Sequence, residues 1–460
     1  MLAPLRQIRD RNVWLLYGAT VLLGLAYGLA IALIGLYLDG LGYQKTEIGL
    51  LAFWFALGTV SLALPMGALI RRFTAKRVLV VCFFGYACTV GAFPFLESHT
   101  AIVVDRFLDG AFSVGVWISS ETILLQRAGK DHKAFIMSLY GIAVGIGYVV
   151  GPLAAHAVIG FAPYSVAFGT SAVLAVIASL WILLRLDPDP RVDSSSTDAR
   201  PTNPATRSID ARPLSPPRGE RQGEGRSGVS LPAPGLAAAL RSSLALVWRI
   251  RISCWGTFSY GYFQASIVLF MPLFLRDSKG IAQDDTVIMP AFFAAGLLIF
   301  SSIAGRIADR FGHLVVMRTL AMAGACLIGG FLFVESFAVM CLITFLGGAV
   351  LASISPISLA LQGNIVAPED YSRANSIYNT FYATGTLVGP VVSSFIFDGF
   401  GGHAAGKKLG GETMMGHMAV LWAIFAIVTW FFRRDDPRAG HDAALAAARV
   451  ESPSGSGVAS

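Results

Sequence analysis

The sequence predicts an all-α integral membrane protein, with twelve transmembrane helices arranged as two pseudo-symmetric six-helix bundles. Three observations carry that expectation: the composition, the number of bilayer-length apolar runs, and an internal repeat. Hydrophobic residues make up 55% of the 460 and charged residues only 14%, with a mean hydropathy of +0.64. A soluble domain carries about 25% charged residues.

Roughly 20 apolar residues cross the hydrocarbon core as a helix. Such runs fall at 13–38, 48–70, 78–96, 101–126, 134–158, 164–186, 252–275, 286–307, 314–334, 337–361, 374–397 and 417–432. Arg6, Arg9 and Arg11 precede the first run as in a signal peptide. That run is too long for an h-region of about 7–15 residues, so it reads as a retained first helix. The five cysteines, Cys82, Cys88, Cys254, Cys326 and Cys341, all fall within spans without metal-ligand spacing, which predicts buried free thiols.

Charge sets the topology. With the loops assigned alternately to two sides, most of the 35 Lys and Arg collect on the side of the N-terminus, including Arg71, Arg72, Lys76 and Arg77. This is the positive-inside bias. It places both termini in the cytoplasm and makes the chain a multi-pass protein of the cell (inner) membrane. The net charge of +7 is then a topology signal rather than a nucleic-acid footprint. Two arginines, Arg106 and Arg318, lie inside spans. The expected parts are an N-terminal tail 1–12, a bundle 13–186, a linker 187–243, a second bundle 244–432 and a tail 433–460. The linker is rich in Pro, Ser, Gly and mixed charge. It cannot bury enough apolar surface to offset its ordering entropy, so it is expected to be a disordered tether.

The halves overlay at one offset. FWFALG at 53 meets AFFAAG at 291, an offset of 238, and GALIRRF at 67 meets GRIADRF at 305. RFLDGAF at 106 meets TFLGGAV at 344, SLY at 138 meets SIY at 376, and Gly151-Pro152 meets Gly389-Pro390. Six helices per half preserve the orientation, so this is a parallel repeat, which places a binding site between the halves near the midplane.

These motifs resemble the major facilitator superfamily of secondary transporters, over nearly the whole chain apart from the linker and tails. The family's loop between helices two and three reads G-x-L-A-D-R-x-G-R-K. The second half carries Gly305, Ile307, Ala308, Asp309, Arg310 and Gly312 in that pattern. The first half keeps Gly67, Leu69 and Arg72, but Arg71 replaces the acid and Thr74 the glycine. In the family this loop latches the cytoplasmic side. Arg106-Phe107-Leu108-Asp109-Gly110 looks like the family's R-F-L-x-G motif. Gly141, Gly145, Gly147, Gly151 and Pro152 are similar to the glycine-rich motif of exporters that exchange substrate for protons. Unlike the family's drug exporters, the first helix carries no acid between Val13 and Leu38. The resemblance implies transport rather than enzymatic chemistry, without a cofactor or a metal.

The charges inside the fourth span need an account, because a charge at membrane depth costs at least about 2.5–3.5 kcal/mol. Asp105, Arg106 and Asp109 share one side of a helix at spacings of three and four. Asp109 lies ~12 Å below Ala101. Such groups face the bundle interior and pair. Three readings stand: proton coupling, with Asp109 carrying the proton, Arg106 controlling it and Asp105 alongside; a permanent structural pair; or binding of a charged substrate. Glu121 lies ~18 Å further along that helix, facing Arg71, Arg72, Lys76 and Arg77. It is expected either to close a cytoplasmic gate or to form a solvated pair. The helix-five glycines allow close backbone approach and read as a seam on which the halves rock.

The resemblance also implies a cavity walled by helices one, four, seven and ten. Tyr27, Tyr260, Gln264, Ser355 and Gln362 are expected to line it, with Tyr378, Asn379 and Tyr382 from helix eleven. An apolar pocket with few polar anchors suits an amphipathic organic molecule. Gly401, Gly406 and Lys407 have phosphate-loop spacing, but Lys408 stands where Ser or Thr belongs and no strand precedes them. With no ATP motif, the energy source is an ion gradient or the substrate's own. The expected protein is a monomeric, proton-coupled exporter of a small molecule. A metabolite importer or uniporter, or a receptor or assembly protein on the same fold, remain as alternatives.

Overall fold

The computed structural model describes residues 10–127, 133–187, 236–366, 370–400 and 404–433. Regular structure there is helical, without a strand among the described residues. The first bundle comprises α1 (Arg11–Gly40), α2 (Lys45–Phe73), α3 (Ala75–Ala92), α4 (His99–Arg127), α5 (Lys133–Ile159) and α6 (Tyr164–Arg185). After α7 (Leu236–Arg249), the second comprises α8 (Arg251–Lys279), the single turn α9 (Gln283–Thr286), α10 (Met289–Phe311), α11 (His313–Phe331), α12 (Phe337–Leu351), α13 (Ile354–Ile365), α14 (Tyr371–Asp398) and α15 (Ala404–Phe431). Among the described residues, 11 spans are long and apolar enough to cross a membrane, counting α12 with α13 as one. The twelfth is α4, whose 29 residues have the length but carry Asp105, Arg106 and Asp109.

Local chemistry sets the helix ends. The Asp10 side chain accepts the Asn12 N–H at 2.8 Å and starts α1, the usual service of an N-cap aspartate. Glu47 accepts the Gln44 N–H at 2.8 Å and starts α2. Gly280, at φ +67°, ends α8 in the left-handed conformation. Three expectations need correction. Residues 236–243, expected as linker, belong to α7; residues 188–235 and 434–460 lie outside the described residues. The tenth span is two helices, because Pro356 has no N–H for the carbonyl of Ala352, four residues earlier. Its repeat mate, Ile118, sits in the unbroken α4. All five cysteines are free, as expected, but Cys88 and Cys326 are exposed rather than buried.

The repeat is visible in the packing. Contacts α1–α5, α1–α6, α2–α4, α3–α4 and α3–α6 recur as α8–α14, α8–α15, α10–α12, α11–α12 and α11–α15. It extends to single atoms. A Cβ on Gly110 would lie 1.9 Å from the Phe55 carbonyl oxygen, and one on Gly348 would lie 1.9 Å from that of Phe293. Gly58 and Gly296 meet the carbonyls of Phe107 and Phe345 at 2.0 Å in the same way. Each pair is related by the 238-residue offset. These crossings seat α4 on α2 and α12 on α10 backbone against backbone, as small residues permit in lipid.

The α2–α3 and α10–α11 turns also correspond. Gly312 has φ 97° and ψ 138°, while its mate Thr74 has φ 77° and ψ 148°. The first half therefore holds a threonine where the backbone favours glycine, a conformation that costs about 1–3 kcal/mol. Thr74→Gly should raise the melting stability of the purified protein by about 1 kcal/mol, since relief of strain outweighs the added freedom of the unfolded chain. Gly110→Ala and Gly348→Ala should each lower it by about 1–3 kcal/mol. Gly141→Ala, inside α5 and with nothing within 4 Å of its Cβ, should instead raise it by about 0.5–1 kcal/mol. Thermal melts in detergent check all four.

Candidate functional site

Between the bundles lies a cavity of about 810 Å³, walled by α1, α2, α4, α5, α8, α10 and α14, with Tyr86 and Val90 of α3, Phe168 of α6, Thr344 of α12 and Pro356 of α13. Arg106 and Asp109 line it, and among the described lining residues they alone carry charge. One Arg106 Nη donates to Asp109 Oδ2 at 2.5 Å, while Asp109 Oδ1 accepts from the Ser113 hydroxyl at 3.3 Å. The guanidinium also lies over the Phe55 and Phe93 rings, at 4.8 and 5.8 Å from their centroids. The close α2–α4 crossing at Gly110 is what presents this pair to the cavity beside Phe55. Asp105, expected in the same cluster, is buried and does not line the cavity, and its Oδ2 has no hydrogen-bond partner among the described residues. The repeat mates of Asp105, Arg106 and Asp109 are Ile343, Thr344 and Gly347, so the ionic site belongs to one half.

Of the expected substrate contacts, Tyr27, Tyr260, Gln264 and Tyr382 line the cavity. Tyr27 stacks on Tyr86 at 4.5 Å, and the Tyr382 hydroxyl donates to Gln264 Oε1 at 2.9 Å. Ser355, Gln362, Tyr378 and Asn379 stand outside it. The break before α13 accounts for three of these. Tyr378 donates to the Ser355 carbonyl at 2.8 Å and sits 2.9 Å from the Ser358 hydroxyl, which ties α14 to α13, and Gln362 is buried in that packing. Asn379 is exposed, with its Nδ2 donating to the Asn375 carbonyl. Sequence reasoning missed Tyr86, Trp117 and Tyr148. Only Ser113 left a signal, at i+4 from Asp109.

The expected gate residues do not meet in this conformation. Arg71, Arg72 and Arg77 are exposed, and Lys76 donates to the Leu186 carbonyl at the end of the first bundle. Glu121 is half-buried and makes no ion pair with a described residue. In the second-half motif, Asp309 lies 3.5 Å from His313 Nε2, Arg310 stacks on Phe311, and Gly312 forms the turn; Gly305 meets nothing within 4 Å. The helix-five glycines correct another expectation. Gly147 and Gly151 press on Gly24 and Gly28 of α1, within one bundle, and only Gly145 faces the other bundle, at Leu298. Pro152 lines the cavity, its Cδ within 3.1 Å of a Cβ placed on Gly28.

The polar ties between the bundles gather at the end where α1, α5, α8 and α14 finish, here the distal end. Lys45 reaches Asp39 in its own bundle and Asp277 across the gap at 3.1 Å. Arg276 reaches Asp277 in its own bundle at 2.6 Å and Asp39 across the gap at 2.5 Å. The four charges form a closed, alternating ring, and Asp39 and Asp277 are repeat mates. Nearby, Asp398 accepts from the Thr46 N–H and hydroxyl at 2.6 Å, and Gln283 donates to the Tyr164 hydroxyl. A Cβ on Gly35 would meet the Leu269 carbonyl at 2.6 Å, so α1 and α8 also touch there.

Comparison with known proteins agrees with this geometry. YfkF of Bacillus subtilis, an MFS-type transporter, is 20% identical over 380 residues, covering 82% of this chain and 86% of its own. The multi-drug resistance efflux pump PmrA of Streptococcus pneumoniae is 30% identical over 161 residues, covering 33% and 39%. The solved nucleoside transporter NupG superposes with a TM-score of 0.68 at 15% identity, covering 92% and 98%. A bacterial homologue of the lysosomal transporter Spinster, in an inward-facing and unoccupied conformation, gives 0.71 at 13% identity, covering 92% and 98%. The Major Facilitator Superfamily model matches residues 16–282 and 253–455, and the chain belongs to that superfamily of transporters.

Proposed function

We propose that the protein exports a small amphipathic organic compound by proton antiport, working as a monomer in the cell's inner membrane with both termini cytoplasmic. The observation that carries this reading is the Arg106–Asp109 pair, the only charged groups among the described residues lining a largely apolar cavity. With Asp109 ionised the pair is neutral. A proton on Asp109 leaves the cavity with the charge of Arg106, which Phe55 and Phe93 hold in place. A cavity that becomes cationic on loading a proton disfavours an amphipathic guest that is itself cationic. Mutual exclusion of this kind is what an exchange mechanism requires, since a ligand shifts an equilibrium only by its differential affinity for the two states. Asp105, buried alongside, tunes the pair without touching the guest. The similarity to an efflux pump over part of the chain supports the direction of transport.

In this topology the distal end is extracellular and the structure is closed outward. Arg71, Arg72, Lys76 and Arg77 then face the cytoplasm, and the Glu121 gate is open. Uptake of a cationic fluorescent dye into inverted vesicles should depend on an inside-acid gradient. Asp109→Asn should reduce it to the level without a gradient and flatten its pH profile, whereas unchanged gradient-driven uptake would refute the coupling role. The closure has its own test. In a cysteine-free background, Ile34→Cys in the cavity should be labelled ~10-fold faster by an impermeant maleimide added at the distal side once Lys45→Ala and Arg276→Ala are introduced, the effect of about 1.4 kcal/mol lost from the closed state.

A further inference from the structure

Arg318 is an intramembrane charge that the transport cycle leaves unused. It lies five residues into α11, roughly 7–8 Å along the helix axis. Its helix neighbours at i−3 and i+4, Val315 and Met322, are both exposed, and so are Val420, Ile424 and Ile427 of the adjoining α15. This apolar, outward face is the wall that meets lipid. The Arg318 guanidinium lies over the Trp430 ring at 4.9 Å, and Arg433 lies over the same ring at 5.6 Å, so the two cations are within about 10.5 Å of each other. Neither has a carboxylate within ion-pair distance among the described residues. Trp430 is itself 55% exposed.

We propose that Arg318, Trp430 and Arg433 form a headgroup site for an anionic phospholipid on the outer wall of the second bundle. Two like charges beside a low-dielectric surface repel each other and call for a counter-charge. Among the described residues none supplies it there, and the molecule that borders this wall is lipid. A lipid phosphate at headgroup depth provides the charge, the guanidiniums match its oxygens with fixed donors, and the indole holds both cations at the interface. The repeat mate of Arg318 is Val80, so the fold does not require a cation at this position. The site is an acquisition of one half.

The test uses the full chain in detergent, titrated with phosphatidylglycerol or with phosphatidylcholine of the same acyl chains, and read by native mass spectrometry and thermal melting. Phosphatidylglycerol should bind the wild type and raise its melting temperature, and phosphatidylcholine should not. Arg318→Gln and Arg433→Gln should each weaken phosphatidylglycerol binding about fivefold, with the double variant weaker still. Equal binding of the two lipids would show a mere interfacial anchor and overturn the proposal. So would full mimicry by inorganic phosphate, which would indicate a free-anion site, or unchanged affinity in the double variant. Should the double variant not fold, Arg433→Gln alone decides, because that residue is exposed at the end of α15.

Discussion

A charge carried into hydrocarbon needs its counter-charge within reach, and two of the described ionic clusters follow that constraint. Inside the cavity Arg106 and Asp109 neutralise each other, with two phenylalanine rings supporting the cation. At the distal end four charges close into a ring. At Arg318 no described carboxylate completes the balance, which is the ground for the lipid site proposed there. Taking a charge out of water costs several kcal/mol unless geometry and partners are good, which leaves few places for such groups.

What allows the charges to meet is close helix packing. Gly110 presses on the Phe55 carbonyl and Gly58 on that of Phe107, so α4 cannot rotate without a backbone clash. The second half repeats the crossing at Gly348 and Gly296 but carries Thr344 where Arg106 would stand. The ancestral packing is thus retained in both halves and the chemistry in one. The broken tenth span adds a second asymmetry. Pro356 interrupts in the second bundle what α4 keeps whole in the first.

Much of this was legible in the sequence, and the remainder was not for identifiable reasons. The 238-residue offset predicted the two-bundle fold because equal spacing reflects equal packing. The Arg106–Asp109 pair was legible because two charges three residues apart on a membrane helix have few other partners. Ser355, Gln362 and Tyr378 were misplaced because one proline redirects the backbone, an effect that periodicity does not register. Gly147 and Gly151 were assigned to the wrong seam because a small residue announces close approach without naming the neighbour. Tyr86, Trp117 and Tyr148 went unrecognised because aromatic residues in an apolar run look alike whether they face lipid, core or cavity. The distal ring was invisible for a different reason: Asp39, Lys45, Arg276 and Asp277 meet only once the halves are in contact.

That ring has a consequence for the energetics of opening. Each of its cations keeps an anion on its own side: Lys45 with Asp39, Arg276 with Asp277. If the halves part there, the ring loses only its two cross-gap bonds, and its two ion pairs separate as neutral units. No charge of the ring would then be left without a partner to be rehydrated. Two neutral pairs moving apart would carry no net charge of the ring through the membrane field.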